Sequence, residues 1–598
     1  MRFKSRKVDG YQVFAVSGTN TVSFGIKFDD ANTRGLLGFA VERSDPKENE
    51  RYFMFGFKVF QSIIPNPDAE TTVKTNDHPI QSFVWDDFTA KPGRKYDYFF
   101  HPLKGSPKNL DRSARPIAIE VRTEPLFSTL EHDIFFNRGV ASSQAYSRKF
   151  GNKEPDKLEP ASKRAEAREW LSRSLDEAML KFIANAKKND TLLCCFYEFR
   201  YLPVATAIKQ AIDRGVNVQL IIDGKVNEKK DKKGKLHESF PREDNLRTIH
   251  DARIPKSNVM LREAKPNNIQ HNKFMVLLKG AGKVPTEVWT GSTNISDGGI
   301  HGQTNVGHWV RDKDVAEEFR VYWELLSKDP GAKRGDDRPA ANRKNKEHRT
   351  AVEELHETPT SIADVPPGVT TIFSPRGGSV VLDMYAKMVD DAERHSCITL
   401  AFGISDVFKN LLGDNTPRSP IAFFLLEKED KPNPRSKKRF VGLNAANNVY
   451  KAWGSYLREP LFQWTRETNA GALKLNKHVS YIHSKFLLMD PLSKDPIVVT
   501  GSANFSKAST NDNDENMLVI RGDQRVADIY FTEFNRLFYH YYFRSIQETT
   551  RRLGEDQKRT RDQQSLFLEE NDGWIKKYKR GSLKRKRVEI FAQMEGLA

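Results

Sequence analysis

The order of predicted elements is the feature that most constrains this fold, because the same order occurs twice along the chain. A helical pattern at residues 165–186 is followed by an apolar strand at 191–196, a helix at 204–213 and a second strand at 216–222. The second copy places a helix at 380–393, a strand at 398–402, a helix at 407–412 and a strand at 421–426. Strand, helix and parallel strand in succession form the unit of an α/β sheet. We therefore predict a duplicated α/β fold.

Each copy also carries a histidine with a lysine two positions later, followed by a Gly-Ser-x-Asn segment. Of the 14 histidines, only His271 and His483 are followed in this way, by Lys273 and Lys485. The Gly-Ser-x-Asn segments begin 20 and 18 residues after the respective histidine. A single His-x-Lys arises by chance in a lysine-rich chain, but two matching compound motifs in two copies of a repeat do not. The motif pair therefore predicts one site shared by the two copies.

The second copy is the more complete. There, His483-Ser484-Lys485 continues to Asp490, and Gly501-Ser502-Ala503-Asn504 is followed by Glu515. These residues resemble the H-x-K-x(4)-D and G-S/G-x-N signature of the phospholipase D superfamily, and the resemblance covers residues 160–545. It implies two similar α/β/α halves whose motifs meet in one catalytic unit. It also implies a phosphodiesterase that works through a covalent phosphohistidine, with no required metal or cofactor.

The residue types suit such a reaction. A phosphodiester is an anion, so its site needs cations and neutral donors around the non-bridging oxygens. The candidates for this task are Lys273, Lys485, Ser292, Asn294, Ser502 and Asn504. One neutral imidazole attacks, and a second protonates the leaving alkoxide and later activates water. By the resemblance, His271 is the nucleophile, His483 is the general acid and base, and Glu515 orients an imidazole. The sequence leaves the order of the two histidines open.

The first copy departs from the signature at two positions. Leu278 stands where the second copy has Asp490, and counting back from the Asn305/Asn516 pair sets Thr304 opposite Glu515. By the resemblance, the missing aspartate is mainly architectural and the missing acid steers a histidine. We expect weaker electrostatic orientation with the chemistry retained, and loss of activity is the alternative.

Asp512, Asp514 and Glu515 form a short acidic group that could suggest a metal site. No clustered His or Cys supports a transition-metal site there. We therefore predict no bound metal.

The segments outside the repeat are interpreted from periodicity and composition. Residues 1–125 alternate apolar and polar residues in short runs, and Tyr96 follows a Pro-Gly turn as in a tyrosine corner. We predict an all-β, fibronectin- or immunoglobulin-like sandwich there. The predicted halves are residues 126–328 and 368–545, and residues 329–367 form a polar linker with an exposed helix near 347–355. Residues 546–598 form a basic C-terminal extension.

Charge indicates the class of partner. Lys and Arg number 96 against 79 Asp and Glu, which gives a net charge of +17 and favours a polyanion. Lysine-rich stretches at 225–235 and 428–438 add to this, as does the tail segment 574–587, where cations alternate with Trp574 and Tyr578. Cations neutralise phosphates and aromatic rings stack on bases. Anionic lipid would also attract such a tail, and a merely solvated tail is the third interpretation.

Length and composition indicate a multidomain globular protein. The chain has 598 residues, of which 38% are hydrophobic and 29% charged, so burial is not limiting. Its cysteines, Cys194, Cys195 and Cys397, offer neither a disulfide framework nor a zinc site, which favours a reducing compartment. No apolar run follows the basic N-terminus or reaches the ~18 to 20 residues of a membrane span. We expect a soluble, cytoplasmic protein without a cleavable export signal.

Three functions on the same fold follow from these features. The charge and the basic tail favour a nuclease that cuts DNA or RNA. A phospholipase D or phosphatidyl transferase that acts on glycerophospholipids is the alternative, with anionic phospholipid as the partner. In the third, the degenerate first motif has lost turnover and the site only binds phosphate ligands. Both motifs lie in one chain, so a complete site needs no second protomer, and the sequence leaves the oligomeric state open.

Overall fold

The structure is a computed structural model, and it describes the chain except for residues 57, 68–70, 140–143, 152, 231–235, 433–439, 455–479, 551–566 and 598. The lysine-rich stretches at 225–235 and 428–438 therefore lie partly outside the described residues. No helix among the described residues is both long enough and apolar enough to cross a membrane.

The N-terminal region is rich in strands, as predicted. One sheet holds Arg2–Lys4, Tyr11–Ser17, Val22–Phe28 and Val84–Asp87 in that spatial order. The other holds Asn109–Asp111, Lys95–Ser106, Gly38–Asp45 and Glu50–Phe53, and Ile117–Arg122 also pairs with Lys95–Ser106. Short strands at Phe55–Gly56 and Val73–Lys74 pair with each other. The assignment of these two sheets to an immunoglobulin-like sandwich stays a prediction.

Aromatic side chains join these two sheets. The ring centroid of Phe24 lies 4.8 Å from that of Tyr98 and 5.2 Å from that of Phe100. The hydroxyl of Tyr96 accepts a hydrogen bond of 2.8 Å from the backbone N–H of Lys91, across the Pro-Gly turn. This is the backbone contact that defines a tyrosine corner.

The first half of the repeat is built on a seven-stranded sheet. Its strands, in spatial order, are His132–Phe136, Val306–Val310, Val284–Gly291, Lys273–Lys279, Thr191–Phe196, Asn217–Asp223 and Val259–Arg262. Its helices are Gln144–Phe150, Ala161–Ser172, Leu175–Asn185, Leu202–Asp213, Arg242–Asp251 and Lys313–Ser327, and a small hairpin pairs Lys229–Lys230 with Leu236–His237. The single helix predicted at 165–186 is wrong, because Arg173 and Ser174 adopt φ of 49° and 72° and break it in two.

The second half repeats this sheet strand for strand. The spatial order is Gly368–Ser374, Glu515–Arg521, Ile497–Gly501, Phe486–Met489, His395–Leu400, Ile421–Leu426 and Val449–Trp453. The helices are Val380–Asp390, Asp406–Leu412, Lys507–Asn511 and Gln524–Thr550. The predicted duplication is confirmed. Short 3-10 turns lie at Asp30–Thr33, Pro155–Lys157, Lys256–Asn258 and Ala445–Asn447, and a π-turn lies at Gly298–Gly302.

Each sheet has one face toward its own helices and one toward a core that both halves share. In the strand Thr191–Phe196, Cys194 packs in the first half's own cluster, whereas Cys195 packs in the shared one. The shared cluster also contains Cys397 and Phe486 of the second half. Alternation along a strand sends successive side chains to opposite faces, so one sequence stretch serves both cores.

The linker differs from its prediction. Its helix is Arg338–Glu353, longer than expected, and the side chains of His348 and Val352 are buried. One face of the helix is therefore packed against the halves that it connects. Eight of its 16 residues are exposed, so the prediction of an exposed helix holds for the outer face only.

The C-terminal extension also packs onto the molecule, against the N-terminal region. Strand Phe567–Leu568 pairs with Val59–Phe60, a 3-10 segment spans Asp572–Tyr578, and helix Leu583–Ala592 follows. Trp574 is buried, and its indole N–H donates to the backbone oxygen of Leu36 at 2.9 Å. Tyr578 is buried beside Phe83, with ring centroids 4.9 Å apart. The hypothesis that these two rings stack on bases is therefore wrong, because both are held in a core.

Candidate active site

The two His-x-Lys segments meet at the junction of the two halves. The ring centroids of His271 and His483 are 6.5 Å apart, with the ring planes at 75°. Each histidine lies just before a strand of its sheet: His271 precedes Lys273–Lys279 and His483 precedes Phe486–Met489.

Backbone hydrogen bonds between the halves fix this meeting. The N–H of His271 donates to the carbonyl of Asp514 at 2.9 Å, and the N–H of Thr304 donates to that of Tyr481 at 2.7 Å. In each half, therefore, the segment after the Gly-Ser-x-Asn motif holds the histidine segment of the other half. The site forms only when both halves are in place.

Both lysines of the motifs are buried beside their histidines. The Nζ of Lys485 donates to the backbone carbonyl of His483 at 2.5 Å, and Lys273 makes the equivalent bond to His271. Burial lowers the pKa of Lys273 to about 7 and lowers the pKa of Lys485 well below its usual range. A bound anion would restore both charges, so the pair is suited to holding a phosphate group.

A carboxylate holds His271. The Nδ1 atom of His271 lies 2.9 Å from Oε2 of Glu515, which comes from the second half. Burial raises the pKa of Glu515 to about 8, and burial, followed by the charges of Lys273 and Lys485, lowers the pKa of His271 well below the usual range. When His271 and Glu515 share a single proton, that proton stays on Nδ1 of His271 and points toward the Glu515 carboxylate. The lone pair of Nε2 is then free to attack.

An amide, not a carboxylate, holds His483. Its Nδ1 lies 2.9 Å from Oδ1 of Asn305, which comes from the first half. Burial also lowers the pKa of His483 well below the usual range. A protonated His483 therefore has no carboxylate on Nδ1 to stabilise it, which makes Nε2–H a strong acid.

Asn305, not Thr304, is the counterpart of Glu515. Ser292 donates to Asn305 at 2.8 Å and Ser502 donates to Glu515 at 2.7 Å, and in both halves the acceptor lies 13 residues after the serine. Counting forward from the serine would have found this register. The count back from the Asn305/Asn516 pair shifted the alignment by one residue and therefore set Thr304 opposite Glu515.

The other predicted supporting residues are placed as follows. Ser292 and Ser502 are buried, and their hydroxyls donate to the groups that hold the histidines, so they support the site from behind. Asn294 donates to Glu198 at 2.9 Å. The Oδ1 atoms of Asn294 and Asn504 are buried and have no hydrogen-bond partner among the described residues.

Asp490 lies outside the site. Its carboxylate accepts hydrogen bonds from the backbone N–H groups of Glu393 at 2.7 Å, Arg394 at 2.8 Å and His395 at 3.1 Å. These bonds fix the start of the neighbouring strand His395–Leu400. In the first half, the equivalent Leu278 is buried. There Asp190, just before strand Thr191–Phe196, accepts from the N–H of Gly280, just after strand Lys273–Lys279, at 2.8 Å and so joins the same two strands. The missing motif aspartate is thus compensated structurally.

Several site residues were missed by the sequence analysis. The ring of Tyr197 lies 5.2 Å from that of His271 and 5.4 Å from the Nζ of Lys273. Glu198, next in sequence, is the acceptor for Asn294. Both directly follow the predicted strand 191–196, and the end of a parallel strand is where α/β sheets place functional side chains. That position was the available signal.

Comparison with known protein families gives one match. The sequence model of a family described as "Cardiolipin synthase, PLD-like domain" matches residues 179–326 and 444–538, which include both histidine motifs. No curated protein sequence matches the chain. The chain belongs to the phospholipase D superfamily, and both of its His-Lys pairs lie within the matched segments.

Similar solved structures include enzymes of several kinds. A phosphatidylserine synthase from Haemophilus influenzae Rd KW20 is 11% identical with a TM-score of 0.42, over 67% of this chain and 94% of that chain. Nuc, a phospholipase D family member from Salmonella typhimurium, is 21% identical with a TM-score of 0.19, over 25% and 83%. A polyphosphate kinase from Porphyromonas gingivalis is 9% identical with a TM-score of 0.33 over 58% of this chain, which spans only 46% of that protein.

Proposed function

We propose that this protein is a nuclease that cleaves phosphodiester bonds of DNA or RNA through a phosphohistidine on His271, without a metal. The observation that carries the mechanism is the unequal support of the two histidines: a carboxylate for His271 and an amide for His483. The same residues would serve a phospholipase D, so the choice of substrate rests on the charge of the molecule.

In the first step, Nε2 of His271 attacks phosphorus as the bond to the leaving oxygen breaks. The proton on Nε2 of His483 passes to that oxygen. The developing negative charge on the non-bridging oxygens lies against Lys273 and Lys485, both buried and therefore strongly interacting with it. In the second step, His483 takes a proton from water, the water oxygen attacks phosphorus, and His271 leaves.

Net charge favours nucleic acid as the substrate. The chain carries +17, and Lys576, Lys577, Lys579 and Arg580 of the C-terminal extension are exposed. The charges of Lys577, Arg587 and Lys58 add to burial in lowering the pKa of Lys584 to about 8, so cations gather on this face. Such a cluster attracts a polyanion. The extension would then act through its cations alone, since its aromatic rings are buried.

The test uses labelled single- and double-stranded DNA and RNA in excess EDTA, beside phosphatidylcholine vesicles assayed for choline. We expect cleavage of nucleic acid that disappears in His483→Ala and persists in His250→Ala, which changes an exposed histidine in helix Arg242–Asp251. Choline release without cleavage would replace the substrate with phospholipid. Full activity in His483→Ala would reject the mechanism.

The order of the histidines has its own test. A p-nitrophenyl ester of a labelled nucleotide has a leaving group that departs without a proton. His483→Ala should therefore form the phosphohistidine and fail to hydrolyse it. Digestion at alkaline pH, at which the P–N bond survives, followed by mass spectrometry should place the label on His271. Label on His483 in His271→Ala, with none on His271 in His483→Ala, would reverse the roles.

A further inference from the structure

A cavity lies beside the end of the second sheet that carries the candidate active site. It has a volume of about 280 Å³ and lies between the end of the linker, the start of helix Val380–Asp390 and the segment that ends at Asn511. It is lined by Arg376, Gly377, Gly378, Ser379 and Val380, with His356 and Thr358 opposite. None of these residues belongs to the His-Lys motifs.

Arg376 is buried in this wall with hydrogen-bonding capacity left over. The residue is 7% exposed, and its Nε donates to the carbonyl of Phe373 at 2.7 Å. Its Nη2 is buried and has no hydrogen-bond partner among the described residues. A buried guanidinium nitrogen without an acceptor is costly unless a ligand supplies one.

The helix that opens at the cavity is uncapped. Helix Val380–Asp390 has 11 residues, and its N-cap Ser379 makes no side-chain capping bond, because that hydroxyl donates to Asp383 at 2.6 Å. The first N–H groups of a helix have no partner within it and carry partial positive charge. The helix terminus and Arg376 therefore present donors to the same cavity.

The loop already holds one oxyanion. The N–H of Gly377 donates to a carboxylate oxygen of Glu353 at 2.6 Å. Glu353 and Glu357 are exposed residues that line the linker side of the cavity. Arg376 is the buried cation of this wall, and its Nη2 has no acceptor among the described residues, whereas Gly377, Gly378, Ser379 and Val380 are exposed.

The cavity lies close to the site described above. Ser374 pairs with Glu515 in the sheet. Paired Cα atoms are about 5 Å apart, and two further residues span at most about 7.6 Å. Arg376 Cα therefore lies within about 13 Å of Glu515 Cα. One strand of a nucleic acid carries a charge every ~3.4 Å of rise, so a second phosphate of a bound strand falls within this reach.

We infer that this cavity is a phosphate-binding subsite, in which Arg376 and the N-terminus of helix Val380–Asp390 hold a non-scissile phosphate of the polyanionic substrate. The identity of that substrate rests on the proposed function, whereas the binding of a phosphate group does not. The chemistry required is an oxyanion with several acceptors, which a guanidinium fork and backbone N–H groups recognise together.

Two variants test the inference. Arg376→Gln removes the guanidinium. Val380→Asp places a carboxylate at the first turn of the helix, where Val380 is 46% exposed. An acidic residue there stabilises a helix, so this variant should fold even if Arg376→Gln does not. Arg418→Gln is the control, because Arg418 is exposed and precedes the start of strand Ile421–Leu426, at the opposite end of the sheet.

The kinetic readout compares two substrates. Bis-p-nitrophenyl phosphate has a single phosphate, so both variants should turn it over like the wild type. On a single-stranded oligonucleotide, both should raise KM about tenfold with kcat unchanged, and Arg418→Gln should change neither. Equal KM values for the oligonucleotide in all three variants would reject the subsite. If the two variants raise KM for anionic phospholipid vesicles and not for the oligonucleotide, the subsite does not hold a phosphate of nucleic acid.

The binding readout does not depend on turnover. Titration calorimetry with inorganic phosphate should show a second binding event, beside the one at Lys273 and Lys485, in the wild type and in His271→Ala, and this second event should be lost in Val380→Asp. If no substrate is cleaved but this event is present, the proposed function fails and the subsite stands. If cleavage occurs and Val380→Asp retains the event, the subsite fails and the proposed function stands.

Discussion

At the scale of single residues, the two motif histidines differ in the atom that holds Nδ1. Glu515 and Asn305 occupy equivalent positions, 13 residues after an equivalent serine, yet one side chain can be charged and the other cannot. A carboxylate favours the protonated form of its imidazole and an amide does not. This difference supports the proposed assignment of His271 as the nucleophile and His483 as the general acid.

The pH dependence of kcat/KM should reflect Glu515 and Lys273. The carboxylate of Glu515 forms as the pH rises through about 8, because burial raises its pKa. The charge of Lys273 is lost as the pH rises through about 7, because burial lowers its pKa. Burial also lowers the pKa of His483, so the proton that this general acid supplies is lost as the pH rises and adds to the alkaline limb. The acid and alkaline limbs overlap, so we expect a narrow bell-shaped profile. Glu515→Gln should remove the acid limb and lower the maximum about 100-fold.

The control for this profile is Glu238→Gln, which changes an exposed carboxylate of the first half. It should keep both limbs. An acid limb that persists in Glu515→Gln would assign that limb to another group.

Asn305→Asp tests the other half of the asymmetry. A carboxylate on Nδ1 would raise the pKa of His483 and make it a weaker acid. The rate should fall about tenfold for alkoxide leaving groups, which need the proton, and stay unchanged for p-nitrophenolate, which does not. Equal losses on both substrates would show that Asn305 acts through structure alone.

At the scale of elements, the strand ends decide what reaches the site. Tyr197 and Glu198 follow the strand Thr191–Phe196, and their positions could be predicted from the order of elements. The role of the linker helix could not, because its polar sequence resembles an exposed helix. His348 lies 3.0 Å from Asp514, whose other oxygen accepts from Arg262 at 2.9 Å. The linker therefore braces the segment that presents Glu515.

Leu278→Asp would restore the motif aspartate in the first half, and we expect it to be harmful. Leu278 is 2% exposed, and Asp190 already accepts from the neighbouring N–H of Gly280. A second carboxylate would be buried without donors, so the free energy of unfolding should fall by more than about 2 kcal/mol. Leu278→Met should cost less than about 1.5 kcal/mol. Urea unfolding measures both, and a more active or more stable Leu278→Asp would contradict this account.

At the scale of the whole molecule, residues distant in sequence close the structure. Arg2 is fully buried and its Nε donates to Asp528 of the long helix Gln524–Thr550 at 2.8 Å. Its Nη1 also donates to the carbonyl of Glu595 at 2.7 Å. The N-terminal region, the second half and the C-terminal extension are thus joined at one side chain.

The C-terminal extension should contribute to stability and to binding through different residues. Trp574→Ala empties a core position and should lower the free energy of unfolding by about 3 to 5 kcal/mol. The double change Lys577→Gln and Lys579→Gln removes exposed cations and should alter stability by no more than about 0.5 kcal/mol. It should reduce the slope of log affinity against log salt for an oligonucleotide by up to about 1.8. An unchanged slope would show that these lysines do not contact the polyanion.

The sequence by itself determined the duplication, the superfamily and the residues of the two motifs. Those features depend on local periodicity and short spacing, which are visible in the sequence without knowledge of the tertiary contacts. Only the tertiary structure decided that Asn305 holds His483, that Asp190 replaces the missing aspartate and that Trp574 belongs to a core. Each of these depends on a contact between segments far apart in sequence. Burial, not composition, then sets whether a carboxylate is charged or an aromatic ring is free to bind.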